Sequence, residues 1–505
     1  MKNKFKIRNI VSFNHKSPEI TVEGYFNIVK KSLIAIACLL LTFNLQAQNV
    51  AVNIHVERAG TLSSLIAESE KYKITNLKLT GSLNGTDIRY IREMAGCTSD
   101  NKTTIGKLSA LNLSEANIVR GGDYYYNTYY NTHHNIYSET YYTSNNTIGN
   151  RAFYNCKSLT GIALPNSVIS IENSAFEGCI NLTNVSIPNS VNSIESSVFE
   201  GCISLTSISI PNSVYSIGNH AFDGCTSLTS ISIPSSVSSI GGYSFRNCTS
   251  LTSISIPNVT SIREYTFYNC TSLTSISIPN SVTSSIGERA FYNCTSLTNV
   301  SIGNGVTAIS IGSYIFSGCT ELKEINVSEG NANYSSIDGV LYNKDKTVLL
   351  YYPNANSPIC TIPNSVTSIE DRAFSECTRL KEIHSNNPVP PTIRFDYFSD
   401  IKKTCKVYVP KGSYNAYRVA KVWGEFKIIE ENITTNSFIN NRNITISNIS
   451  NGICIKTDEL ISVSIFNLSG QNVYEKNIQR DTNINLNKGV YVVKIGDESK
   501  KIVVM

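Results

Sequence analysis

Thiols recur in this chain at a spacing that could do chemistry. Cys156, Cys179, Cys202, Cys225, Cys248, Cys270, Cys294 and Cys319 follow one another every 22–25 residues, and Cys377 holds the same repeat position 58 residues further on. A column of thiols could form disulfides, hold zinc, or pack as small apolar groups. An odd count with parallel side-chain directions opposes a disulfide ladder. No CxxC pair occurs and histidines do not alternate with the cysteines, which opposes zinc. The regularity predicts a buried column, one environment reused nine times. His220 and His384 stand alone within repeats. There is no HExxH, no Ser/His/Asp order and no phosphate-cradling glycine loop after a strand, so the chain reads as a non-enzyme without cofactor or metal.

Tyrosine is the second concentrated chemistry. Residues 121–145 read GGDYYYNTYYNTHHNIYSETYYTSN. Tyr124, Tyr125, Tyr126, Tyr129, Tyr130, Tyr137, Tyr141 and Tyr142 would offer wide amphipathic contact at low entropy cost, as binding loops do. The segment reads as a projecting loop and a candidate ligand-binding element. Adjacent histidines such as His133 and His134 point apart in extended chain, so no metal is assigned to them.

The elements that must carry these residues follow from the repeat. Ile171–Ser193, Ile194–Ser216 and Ile217–Ser239 are successive copies of one 23-residue unit. Further copies start at Ile148, Ile240, Ile262, Ile286 and Ile311, and a degenerate one at Ile369. The shared pattern is I-x-x-x-A-F-x-x-C-x-x-L-x-x-I-x-I-P-x-S-V-x-S. A unit this short cannot bury its own apolar face, so the copies must stack as a solenoid. Within a unit, Ile231 and Ile233 alternate with Ser230 and Ser232, which predicts a short strand with one buried face. Pro234 has no amide hydrogen for a ladder and ends it. Ile217, Ala221, Phe222 and Cys225 suit a helical turn or an irregular convex segment. Stacked copies predict a parallel sheet on one face.

On that face the outward positions form two columns. One holds Ala163, Ser186, Ser209, Ser232, Ser255, Ser277, Ser301 and Asn326. The other holds Gly161, Asn184, Ser207, Ser230, Ser253, Ser275, Asn299 and Glu324. Between Thr143 and Ser310 only twelve residues are charged. A broad, uncharged face of this kind can recognise a protein or glycan through many weak hydrogen bonds and water, or can simply solvate a scaffold.

The Ala-Phe-x-x-Cys-x-x-Leu-x-x-Ile-x-Ile-Pro strings resemble the bacterial BspA-like class of leucine-rich repeats, over roughly Ile148 to Ile383. The resemblance implies a leucine-rich-repeat solenoid over 148–404, interrupted by an insertion at 330–358. Two apolar runs flank Asn343–Lys346 there, which predicts a β-hairpin. Residues 49–147 then form an N-terminal cap with the tyrosine-rich insertion, and 405–431 a C-terminal cap. An open solenoid end would expose core and an unpaired strand edge, so caps are required.

Lys30-Lys31 followed by the apolar run Ser32–Leu45 reads as a signal peptide within a leader of residues 1–48. The run is short for a membrane span, and no transmembrane helix is expected in the mature chain. The leader holds all five excess positive charges. Beyond it, 36 basic residues face 36 acidic ones, which gives no reason to expect a nucleic-acid partner.

Composition changes after Glu431. Residues 432–451 are rich in Asn, Thr and Ser and read as a linker. Short strands over 452–505, separated by turn signals, predict a small all-β sandwich. Val463–Val473, Leu486–Ile495 and Lys501–Met505 are similar to the C-terminal sorting domain of type IX secretion cargo. Gly470, Lys488, Gly489, Tyr491 and Lys501 are its candidate signal residues. That resemblance implies export by an outer-membrane machine, with removal of the tail or lipid attachment at the bacterial cell surface. The expected function is surface recognition of an extracellular protein or glycan, in adhesion to host or other cells. The alternative is a passive spacer or coat without a ligand.

Overall fold

The computed structural model describes residues 51–132, 135–310, 314–396, 398, 401–431, 437–439, 444–449, 452–457, 460–467, 469–495 and 498–504. The leader, the His133–His134 pair, parts of the 432–451 segment and the side chains of Tyr130, Tyr137 and Lys501 lie outside the described residues.

Each repeat is one coil. In the unit starting at Ile217, the strand Ser230–Ser232 buries Ile231 and exposes both serines. Pro234 starts a tight turn closed by Val237 N–H donating to its carbonyl, at 3.1 Å. The chain then enters a two-residue strand, Ser239–Ile240. A run of turns follows that carries Phe and Cys inward. Equivalent strands pair in register from coil to coil, as Ser209 with Ser232 and Ile208 with Ile231. The short strands form a second parallel ladder, from Thr147–Ile148 to Ser239–Ile240. One sheet was expected. The second was hidden because two residues are too few to show alternation.

The segment after the short strand is not helical. It holds two left-handed residues per coil, for example His220 at φ 55° and Gly224 at φ 71°. Glycine or asparagine fills the second of these in most coils, being the residues that tolerate the conformation. This backbone alternation turns every second amide toward the next coil. Phe222 N–H donates to Ser244 O at 2.8 Å and Gly224 N–H to Arg246 O at 2.8 Å. The turns are thereby bonded between coils, as buried backbone must be.

The core is correspondingly columnar. Phe153, Phe176, Phe199, Phe222, Phe245, Phe267, Phe291 and Phe316 are fully buried and stack ring on ring, with centroids 5.3–5.8 Å apart. All nine repeat cysteines are free and buried. They are more than apolar filler: each thiol from Cys179 to Cys319 donates to the carbonyl of the phenylalanine one coil earlier, at 3.0–3.2 Å.

The N-terminal cap continues the same sheet. Strands β1 (Val52–Val56), β2 (Asn76–Leu83) and β3 (Ala110–Ile118) run parallel, and β3 pairs with Gly161–Ala163 of the first coil. The helix Gly85–Met94 covers the end. Asn84 caps it by accepting from Thr86 N–H at 3.0 Å, while the Asp87 carboxylate takes Asn84 N–H at 3.0 Å, a capping box.

At the other end the array is interrupted. Tyr334–Ile337, Val340–Asn343 and Val348–Tyr351 form an antiparallel meander, and the last strand pairs in parallel with the next two-residue strand, Ser368–Ile369. The core columns bridge the interruption. Tyr351 Oη donates to Phe316 O at 3.2 Å, replacing a thiol, and Cys377 donates to Tyr352 O at 3.4 Å. Four parallel strands, ending in Lys406–Pro410 and Lys427–Glu431, close the C-terminal end around Trp423.

The tail has two four-stranded antiparallel sheets sharing one core of Ile446, Ile453, Val463, Ile465 and Val493, among others. Ser437–Ile439 and Ile444–Ile449 are strands of it. The expected linker therefore contains two strands of the sandwich. Its Asn and Thr content masked the alternation of Ile444 and Ile446, which point into the core.

Candidate functional site

The serine face has the predicted placement. Ser186, Ser209, Ser232, Ser255 and Ser277 are exposed, and Ser301 is half-buried. Neighbouring copies lie one rung apart, as Ser209 beside Ser232 and Ser277 beside Ser301. Several hydroxyls at other repeat positions are committed to the scaffold. Thr183 donates to Thr160 O at 2.8 Å, Thr229 to Thr206 O at 3.2 Å, and Ser213 to Val191 O at 2.5 Å. Among the described residues, Ser186, Ser209, Ser232, Ser255 and Ser277 have no side-chain hydrogen bond inside the chain. Their donors and acceptors are left to water or a ligand.

The tyrosine segment is not a loop. It is an antiparallel hairpin of β4 (Gly121–Thr132) and β5 (Asn135–Thr143) rooted on the capping helix. Gly85 sits where a Cβ would come within 2.0 Å of Asp123 O, so the hairpin base lies directly on the helix start. Tyr125 and Tyr126 are buried, so they are cap residues and not ligand contacts. Tyr125 Oη donates to Asn150 O at 2.8 Å. Burial pushes its phenol well above the ordinary value, so it stays a neutral donor. The Tyr126 ring lies beside Tyr141 and Tyr154 with the Arg92 guanidinium 4.9 Å from its centre. Tyr124 is half-buried under Arg89. Among the described hairpin tyrosines, Tyr129 and Tyr142 are exposed, at 66% and 57%. Tyr124, Tyr125 and Tyr126 lie where the pairing register of the two strands shifts, so their burial does not follow simple alternation.

A second aromatic column was missed by sequence reasoning. His220, Tyr243 and Tyr265 stack at 4.6 and 4.5 Å, Arg289 lies over Tyr265 and Tyr314, and Arg372 lies 3.6 Å over Tyr314. All six occupy the first left-handed position of their coils. The signal was the residue before Ala-Phe, read once per coil. His220 is thus not alone. Its Nδ1 also meets Asp223 at 3.0 Å, and with Glu200 the three offer a metal-like grouping within 4.8 Å. Arg246 already neutralises Asp223, at 2.5 Å, so the carboxylate has its cation. His384 stacks on Tyr408 at 4.4 Å and meets Glu382 and Glu431.

The face changes where the array is interrupted. The Asp338-Gly339 turn and residues Ala355–Ser357 rise beside the last rung, Glu324–Val327, and open a cleft of about 600 Å³ lined by Asn299, Lys323, Glu324, Asp338 and Asn356.

In the tail, Gly470 adopts φ 81° in the turn after Asn467, Gly489 opens the strand Gly489–Ile495, and Lys488 is exposed. Tyr491 is buried and donates to Asn487 O at 3.0 Å, pinning that turn. No helix among the described residues is long and apolar enough to cross a membrane.

Comparison with known proteins agrees with this architecture. The model of the BspA type leucine rich repeat region matches residues 146–260, 238–346 and 349–472. The secretion system C-terminal sorting domain matches 449–505. A leucine-rich repeat protein from Bacteroides ovatus is 25% identical, with 60% of this chain and 90% of that one covered, at a TM-score of 0.34. A leucine rich cell surface protein from Faecalibacterium prausnitzii is 31% identical, covering 51% and 62%, at 0.35. The leucine rich repeat protein of T. pallidum is 32% identical, covering 30% and 71%, at 0.28. No curated protein matches. The chain belongs to the BspA-type leucine-rich-repeat proteins, and its sorting tail makes it an exported protein of the bacterial cell surface.

Proposed function

We propose that the array is a recognition surface for an extracellular protein or glycan, serving adhesion. The observation that carries this is the run of exposed serines on successive rungs, Ser186, Ser209, Ser232, Ser255 and Ser277, whose hydroxyls make no bond inside the chain, beside threonines that do. A scaffold needs only the second kind. Many weak, water-bridged hydrogen bonds spread over successive rungs would give specificity by register and affinity by number. Tyr129 and Tyr142 supply the large side chains the serine columns lack, and such anchors carry much of the energy of an interface. The tail is the part read by the type IX export machinery, and its removal or lipid attachment would leave the solenoid displayed.

The test is a surface-plasmon screen of the full chain against extracellular-matrix proteins and glycans. Saturable binding to at least one of them is expected. Flat responses throughout would overturn the reading in favour of a passive surface spacer, which the monotony of the columns also fits.

A further inference from the structure

We propose that the array carries a hinge between the coils that start at Ile240 and Ile262, at which the strand face opens while the turn side holds. The inference goes beyond the recognition reading and stands without it. The coil over residues 240–261 has 22 residues, where the three coils from Ile171 to Ser239 have 23 each. The residue it lacks is the serine before valine. Pro257-Asn258-Val259 stands where the preceding coil has Pro234-Ser235-Ser236-Val237. The turn closed by Val237 N–H on Pro234 O, at 3.1 Å, shrinks to one closed by Val259 N–H on Pro257 O, at 2.8 Å. A hydroxyl ladder stops with it. Ser190, Ser213 and Ser236 donate to Val168 O, Val191 O and Val214 O of the coil before, at 2.5–2.7 Å. The short coil has no serine at this position, and in the next coil the Ser281 hydroxyl is buried without a partner.

Both parallel ladders end at this interface. The strand Ser253–Ile254 pairs with Ser230 and Ile231 behind it and, among the described residues, with no strand ahead. One bond, Thr274 N–H to Thr252 O at 3.2 Å, remains at its start. In the second ladder Ser239–Ile240 is the last strand of its sheet, and Ile262 bridges only forward, to Ile286. One coil earlier the same positions are tied: Ser238 N–H donates to Tyr215 O at 2.9 Å and Gly241 N–H to Ile217 O at 2.8 Å. Among the described residues, no backbone bond joins 235–241 to 257–263. The strand sheet also pauses between Asn184–Ser186 and Ser207–Ser209, but there the second ladder runs through. The turn side is unbroken. The N–H groups of Tyr243, Phe245 and Asn247 donate to Glu264 O, Thr266 O and Tyr268 O at 2.8–3.1 Å. Cys270 donates to Phe245 O at 3.1 Å, and Phe245 and Phe267 stack at 5.6 Å. Coils bonded along one side and unpaired along the other rotate about the bonded side with few bonds to break. The hinge sets the angle between two plates of the serine face, with Ser186, Ser209, Ser232 and Ser255 on one and Ser277 and Ser301 on the other.

Two measurements on the full chain test this. Hydrogen exchange followed by mass spectrometry needs no substitution. Backbone amides over residues 252–263 should exchange at least about tenfold faster than those over 229–241, the same positions one coil earlier. Equal protection overturns the proposal. Double electron–electron resonance between paired nitroxide labels reads the motion itself. Ser209→Cys with Ser301→Cys places the labels four rungs apart across the hinge, and Ala163→Cys with Ser255→Cys places them four rungs apart on one side of it. Both pairs span about 19 Å at about 4.8 Å per rung. The background carries Cys38→Ser and Cys454→Ser, which leaves only buried native thiols. The distance distribution across the hinge should be at least about twofold wider than that of the control pair. A variant with one serine inserted between Asn258 and Val259 restores the 23-residue coil and should narrow it to the control width. Equal widths in the chain without the insertion overturn the proposal. So does a folded insertion variant whose distribution stays wide, since the missing serine would then not be the cause.

Discussion

Cys225 donates its thiol hydrogen to the carbonyl of Phe199, 3.2 Å away and one coil earlier. The same bond recurs along the array, so the cysteine column joins coils as well as filling them. Replacing Cys225 with alanine removes one of the two donors to the Phe199 carbonyl, which keeps the Cys202 N–H at 3.1 Å, and opens a void. The variant should lose about 1–3 kcal/mol of stability, seen as a lower urea midpoint by circular dichroism. Serine at this position retains a donor and should lose less than alanine. An alanine variant as stable as the wild type would mean the bond contributes nothing.

The same burial makes stability depend on alkali. Desolvation pushes the thiols of Cys156 and Cys294 up to about 12 from the usual 9.0. The folded chain then keeps protons that the unfolded chain releases once pH passes 9.0. Stability from these groups is complete below that pH and falls as pH rises toward 12, by about 1.4 kcal/mol per pH unit for each thiol. Urea midpoints measured below and above pH 9.0 should therefore diverge strongly. Coincident midpoints would contradict the burial.

Arg92 fastens the N-terminal cap. It is fully buried, and its two terminal nitrogens donate to the carbonyls of Arg151, Ala152, Thr98 and Tyr154, at 2.9–3.2 Å. Arg92→Met removes the side-chain donor from all four carbonyls, of which Arg151 O and Thr98 O keep a backbone N–H, and should cost at least about 2 kcal/mol. Limited proteolysis should then cut first within residues 51–147. A cleavage pattern like the wild type's would show that the cap docks without it.

The hairpin tyrosines should divide into two groups. Tyr125→Ser should destabilise the cap, since it empties a buried site and removes the bond to Asn150. Tyr129→Ser/Tyr142→Ser should leave the melting temperature unchanged and weaken ligand binding several-fold. Equal effects of the two variants on melting would refute the division.

Much of this was legible in the sequence because a repeat reports the same environment many times. The inward Ile231, Phe222 and Cys225 and the outward Ser230 and Ser232 follow from period and alternation alone. The Ser239–Ile240 ladder did not, since its strands are two residues long. Tyr125 could not be told from Tyr129, because burial there depends on the capping helix and on Asn150, which are distant in sequence. The cleft depends on where the turn at Asp338 lands beside Glu324, a tertiary relation with no local signature. Residues 432–451 were read as linker because their Asn, Thr and Ser content hid the alternation of Ile444 and Ile446.

The central claim is that the serine face recognises a ligand, and blocking it tests that most directly. Ser209→Arg, Ser232→Arg and Ser255→Arg together place three long cations on adjacent rungs, at exposed positions that leave the core untouched. Binding of this variant to the ligand found in the surface-plasmon screen should fall by at least about tenfold relative to wild type, with the same melting temperature. Unchanged binding would contradict the account, leaving the serine columns as solvated scaffold.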